Sequence, residues 1–114
     1  MDSTNLEMDI REVTDGVRVI DINGEITAAS EEEITKAHEK AGEGAEVVIL
    51  NFEGLEYMNS GGIGLVVTTL IRAQRAGHDL RAYGLSDHYR QIFSLTRLDE
   101  AISLYEDEKT AVAG

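Results

Sequence analysis

The sequence predicts a single α/β domain with a mixed, mostly parallel sheet, and three observations predict it. Short β-branched runs alternate with amphipathic stretches in the order β-β-α-β-α-β-α-β, and strands that alternate with helices become parallel neighbours. A Thr14-Asp15-Gly16 turn joins the first two runs, so they form a hairpin and supply an antiparallel edge. Val47 to Phe52 (VVILNF) is mostly apolar and bounded by loops, which marks a strand buried on both faces and hence central. The 114 residues, 42% of them hydrophobic, suffice for one core. The domain is read as residues 1–114, with its core at about 6–106 and an acidic tail over 106–114.

In Leu6 to Val13, Leu6, Met8 and Ile10 share one face of a strand. Val17 to Ile22 is the second strand, and Asn23 to Thr27 is a break. Ser30-Glu31-Glu32-Glu33 has the spacing of a capping box, and three acids suit a helix's first turn. That helix is expected to reach about Ala41 and stop at Gly42. After the central strand, a helix spans Ile63 to Ala76 and stops at Gly77. Leu80 to Tyr83 is a short strand, Ser86 to Leu95 a short helix, and Ile102 to Tyr105 a last strand. The tail has room for a helical turn or two.

The net charge is −12, from 22 acidic and 10 basic residues. Phosphate neutralisation needs a basic footprint, so nucleic acid is not an expected partner, and neither is an anionic membrane surface. Solubility explains the charge at least as well as steering of a basic partner. There is no cysteine, hence no disulfide, thiolate nucleophile or cysteine-held metal. With no signal peptide and no apolar run long enough to span a bilayer, the expected setting is the cytoplasm.

The stretch YMNSGGIG, residues 57 to 64, stands out. Each glycine inside a helix costs up to about 1 kcal/mol relative to alanine, yet Gly61, Gly62 and Gly64 open the second helix. Glycines let another backbone come close and leave a neighbouring side chain unshielded, so Ser60 is expected to stand exposed. Asn59 or Ser60 is the helix cap, and a helix N-terminus also suits a phosphate. With Ile63 taken as the centre of the buried face, Val66, Val67, Leu70, Ile71 and Ala73 fall within roughly 80° of it. Thr68, Arg72 and Arg75 then face water, and so does Leu65. Leu65 is either a lone exposed leucine or a contact for a partner.

Other chemistry finds little support. Gly62-Ile63-Gly64 lacks the third glycine of a dinucleotide fingerprint, since Val67 stands there. Ser60 is not in a nucleophile elbow. His38, His78 and His88 have no metal-ligand spacing, and His38 is expected on an exposed helix face. Neither an enzyme nor a metal or cofactor is expected.

Met58-Asn59-Ser60-Gly61-Gly62-Ile63-Gly64 resembles the Met-Asp-Ser-Ser-Gly-Leu-Gly segment of the STAS domain family, in particular of the bacterial anti-sigma factor antagonists. Gly24-Glu25-Ile26 resembles that family's Gly-Glu-Leu after the second strand. The run from Val47 to Leu55, Ala76-Gly77 before Leu80 to Gly84, and the helix ending near Thr96-Arg97-Leu98 fit as well. The similarity spans roughly residues 6 to 106.

The resemblance implies a STAS-like sheet of four to five strands with helices packed on one side. It also implies partner switching. The unphosphorylated protein binds a serine-kinase anti-sigma factor and frees the sigma factor; the kinase phosphorylates Ser60; a serine phosphatase resets the cycle. Asn59, Ser60, Gly61, Gly62, Leu65 and Thr27 are the expected partner-binding residues, on a monomer or weak dimer. Asn59 replaces the family's aspartate, Gly61 its second serine, and Thr27 the aspartate of Gly-Glu-Leu-Asp. Asn59 removes a charge beside the acceptor, and Thr27 removes any contact made by that aspartate. A non-switching scaffold subunit of a stress-sensing complex and an accessory subunit of a membrane transporter are the alternatives.

Overall fold

The computed structural model describes residues 5–114. Five strands form one sheet: β1 (Leu6–Thr14), β2 (Val17–Ile26), β3 (Val47–Met58), β4 (Asp79–Tyr83) and β5 (Ser103–Tyr105), in spatial order β1-β2-β3-β4-β5. β1 and β2 pair antiparallel across the Asp15-Gly16 turn, where Gly16 has φ 76°, and every other pairing is parallel. β3 lies in the middle, as its apolar run predicts. It runs six residues beyond Phe52, because its second half pairs with the end of β2 as far as Ile26 opposite Met58.

Three helices, α1 (Glu31–Gly42), α2 (Ser60–Ala76) and α3 (Asp87–Leu95), cover one face of the sheet. The main core lies there. Ile20, Ile22 and Ile26 of β2 and Val48, Leu50 and Phe52 of β3 meet Val66, Leu70 and Ala73 of α2 and Tyr89 and Phe93 of α3. The tail is more than an appendage. Its helix α4 (Glu108–Ala113) crosses to the opposite face, where Ala111 is fully buried with Val19, Ile49 and Tyr83. Arg11 secures it, bonding Asp21 at 2.6 and 2.9 Å and Glu108 at 2.7 Å. The Tyr83 hydroxyl donates to Glu108 at 3.0 Å, and the Asn51 amide donates to Asp21 at 2.7 Å. The hydrogen bonds to Arg11 hold both carboxyls below their usual range.

The break expected over Asn23 to Thr27 is strand as far as Ile26, because Asn23 to Ile26 pair with the second half of β3; three further expectations need correction. The capping box is not Ser30 with Glu33. A 3₁₀ turn, Ala28–Ser30, precedes α1, and Ser30 Oγ accepts from Thr27 N at 3.1 Å while Thr27 Oγ1 accepts from Ala29 N at 3.2 Å. Ser30 is buried and turned back into this turn, so α1 starts without a side-chain cap. The second concerns His38, which is 4% exposed and bonded to His78, Nε2 to Nε2, at 2.9 Å. Burial, then the charges of His78 and Arg72, push it down to about 4. Forty positions separate the two histidines in sequence, so local spacing carried no sign of the pair.

The third is the orientation of α2. Its most buried residues are Gly62, Val66, Thr69, Leu70 and Ala73, an arc centred on small residues and rotated away from Ile63. Ile71 is therefore 43% exposed. Leu65 is half-buried and packed on the core, and Arg72 is drawn toward α1, donating to Thr35 Oγ1 at 2.9 Å. Small side chains permit the closest approach to the sheet, and a search for the largest apolar residues overlooks them.

Candidate functional site: the start of α2

β3 passes into α2 through a single residue, Asn59. Its side chain caps the helix, Oδ1 accepting from Gly62 N at 2.9 Å, and its carbonyl accepts from Ile63 N at 2.9 Å. The strand end is pinned from α3, where the Tyr89 hydroxyl accepts from Met58 N at 2.7 Å. Asn59 N donates to Ile26 O at 3.4 Å. Because Ile26 is opposite Met58, the chain that leaves β2 at Thr27 runs beside the chain that enters α2.

This neighbour explains two of the three glycines. Gly62 is buried against the carbonyl of Ile26, and a Cβ there would collide with it. A Cβ on Gly61 would come within 3.0 Å of Ala28 Cβ. Close approach to the β2 exit requires a glycine at 62, whereas at 61 it relieves a tight contact to which Ala28 would otherwise have to yield by a few tenths of an ångström. Gly64 differs, since a Cβ there meets nothing within 4 Å. It lies one turn beyond Ser60 on the same helix face, so it alone leaves the serine uncovered from that side.

Ser60 is the first residue of α2 and exposed. Its hydroxyl bonds no other side chain or backbone group among the described residues. It sits at the positive end of the helix dipole, with no acidic residue in the first turn. Along its face follow Gly64, Val67, Thr68 and Ile71, at i+4, i+7, i+8 and i+11. Ile71 is 43% exposed, and Tyr57 on the preceding strand end is 47% exposed. The fold thus brings Thr27, Asn59, Ser60, Gly61 and Gly62 together around the β2–α2 junction and leaves Leu65 half-packed. Tyr57, Val67 and Ile71 were missed. Counting helical intervals from Ser60, rather than from the first large apolar residue, finds the two on α2.

Among the described residues no three histidine, cysteine, aspartate or glutamate side chains converge as a metal cluster. No described helix is long and apolar enough to cross a membrane. What the junction offers is an exposed hydroxyl at a helix start, beside a strip in which Gly64 and Ile71 are exposed and Val67 and Thr68 half-buried.

The STAS domain family model matches residues 10–111. The chain is a member of the STAS domain family. Solved structures similar to it include the Bacillus cell-fate determinant SpoIIAA in its phosphorylated form, at 24% identity, with 94% of this chain and 97% of that one covered and a TM-score of 0.71. An anti-sigma factor antagonist from Mycobacterium paratuberculosis is 21% identical over 96% and 92% of the two chains, with a TM-score of 0.76. A sulfate transporter family protein from Wolinella succinogenes is 19% identical over 90% and 87%, with a TM-score of 0.78. At these identities the likeness is one of fold. No curated protein sequence matches the chain. The five-stranded sheet with α1–α3 on one face is the STAS architecture that the resemblance implied.

Proposed function

We propose that this STAS domain is a cytoplasmic anti-sigma factor antagonist that switches partners through phosphorylation of Ser60. The observation that carries the reading is the Ser60 hydroxyl, exposed and without a hydrogen-bond partner among the described residues, at the first position of α2. In this reading the unphosphorylated face binds a serine-kinase anti-sigma factor and releases a sigma factor. The kinase phosphorylates Ser60, and a serine phosphatase restores it. The chain itself catalyses nothing.

Asn59 occupies the cap, so the phosphate is served by the free N–H groups and dipole of the first turn rather than by a new cap. The folded chain therefore tolerates the modification. A docked partner does not, because phosphate adds about −1.5 to −2 charges and three acceptor oxygens, and an unpaired, desolvated dianion costs several kcal/mol. Each 1.4 kcal/mol is tenfold in affinity, so the effect reverses the choice of partner even on a chain already at −12. The proposed contact surface is Thr27, Asn59, Ser60 and Gly61 at the junction, continued by Tyr57, Gly64, Val67 and Ile71; Gly62 is buried against Ile26 and supports this surface from beneath rather than forming part of it.

The test is capture from the host's lysate with three baits: wild type, Ser60→Ala and Ser60→Asp. A serine kinase held by the first two and lost with the third is the expected result. Equal retention by all three overturns the switch. A second reading, an accessory domain of a membrane transporter, is favoured by the likeness to the Wolinella transporter-family protein. Co-purification with transporter subunits, indifferent to the residue at position 60, supports that one. A scaffold role in a larger complex predicts large assemblies in size exclusion, where an antagonist runs as a monomer or weak dimer.

A further inference from the structure

The apolar core holds α1 thinly. The helix starts without a side-chain cap, and of its 12 residues only His38 and Ala41 are buried. His38 bonds His78, which follows the left-handed cap Gly77 that ends α2. The two Nε2 atoms face each other at 2.9 Å, with the rings tilted by 58°. Gly42 makes room for the second ring, since a Cβ there would approach His78 Cε1 to 2.7 Å. Two buried imidazoles thus tie α1 to the end of α2, a tie that the proposed switch at Ser60 does not use.

We propose that the His38–His78 bond is an acid-sensitive clasp, which holds α1 against the end of α2 while the rings are neutral and releases it when they take up protons. An Nε2–H can donate only to an Nε2 that carries a lone pair, so the bond needs at least one neutral ring. A first proton charges a buried pair, and a second sets N–H against N–H. Arg72 of α2 lines the cleft beside the rings, as do Glu39 of α1 and Glu43 just beyond its end. The two glutamates are exposed and Arg72 is half-buried, so water screens the carboxylates more than the guanidinium. On its sheet side His38 borders a small cavity whose other walls are apolar side chains and Thr69. Asp79, next to His78 in the chain, is paired with Arg81. The surroundings therefore oppose a charge on the pair, through burial first and then Arg72. Once α1 is released, nothing opposes the proton. The clasp is complete above the ordinary histidine value, near 6.5, and is lost as pH falls toward 4. At its other end α1 continues from the Ala28–Ser30 turn, which packs on Gly61, so its release reaches the junction where Ser60 emerges.

Amide hydrogen exchange of the full chain, corrected for the intrinsic rate at each pH, tests the clasp between about pH 7 and 5, above the range in which Asp21 and Glu108 titrate. Protection in α1 should fall at least about tenfold over this interval and stay below that of β3 throughout, so that the helix opens while the sheet is folded. In His38→Phe, which keeps a ring and removes its proton site, the fall should be less than about threefold. Ring nitrogen resonances of the wild-type chain give a reading independent of whether the variant folds: His38 should still be neutral at about pH 5.5. Protection of α1 that does not change with pH, or that equals that of β3, overturns the clasp. So does a larger fall in His38→Phe, or a His38 ring already charged at that pH in the folded chain.

Discussion

Gly62 rests against the carbonyl oxygen of Ile26 so closely that a side chain cannot stand between them. This contact joins the exit of β2 to the first turn of α2 and fixes where Ser60 emerges. Gly62→Ala should destabilise the protein by about 1–3 kcal/mol, because overpacking against backbone outweighs alanine's advantage in a helix. A urea-unfolding midpoint that does not fall would refute the contact.

Gly64 gives the opposite expectation. Nothing lies within 4 Å of its missing Cβ, so Gly64→Ala should raise stability by about 0.5–1 kcal/mol through helix propensity and the unfolded chain's lost freedom. It should also slow phosphorylation of Ser60 by covering it. A gain in stability with an unchanged rate would mean that the kinase does not approach from that side.

Asn59→Ala removes the bond to Gly62 N and should cost about 1 kcal/mol. Asn59→Asp keeps the cap and adds a charge at the positive end of the helix, worth about 0.3–1 kcal/mol. Thermal unfolding should therefore rank Asp above Asn above Ala, with the advantage of Asp shrinking in high salt.

Tyr89→Phe leaves Met58 N, a buried donor, without its partner. The expected cost is about 1–3 kcal/mol, with faster amide exchange at Met58 and in the first turn of α2. Protection that stays at the wild-type level would show the strand end to be held by its sheet bonds alone.

The Arg11 network predicts how stability responds to pH. Asp21 and Glu108 are held below the usual carboxylate range, first by hydrogen bonds to Arg11. Their contribution is complete above the unfolded carboxylate values, near 4, and is lost as pH falls through the lower folded ones. Tyr83 shifts the other way, pushed up to about 12 by burial and by Glu108. Its contribution is present below pH 10 and lost as pH rises toward 12. Arg11→Leu should remove the larger part of the carboxylates' acid sensitivity, leaving the smaller lowering of Asp21 by Asn51 and of Glu108 by Tyr83, and, since the network is half-exposed, cost only about 1 kcal/mol at neutral pH. Denaturant midpoints between pH 2 and 12 follow both limbs. An Arg11→Leu profile with the same acid limb as wild type would rule the network out as its cause.

The sequence by itself determined the order of elements, the hairpin at Asp15-Gly16, the central place of VVILNF and the serine at the mouth of α2. Each is a matter of local chain chemistry. β-branched runs prefer a pleated surface, Asp-Gly suits a tight turn, and an asparagine before a glycine-flanked serine caps a helix whatever surrounds it. The STAS motif was legible for the same reason, being one contiguous stretch.

Tertiary structure alone decided which glycines serve packing and which serves access. Gly61, Gly62 and Gly64 are alike in sequence and differ only in what lies opposite, namely Ala28, Ile26 and open solvent. It also decided the rotation of α2, because its buried arc is set jointly by the sheet and by α1, so that Ile71 turns outward and Leu65 inward. The meeting of His38 with His78, and of Arg11 with Glu108, depends on chain reversals 40 and 97 residues long. No local pattern encodes such pairs. They follow from where the sheet carries each strand end.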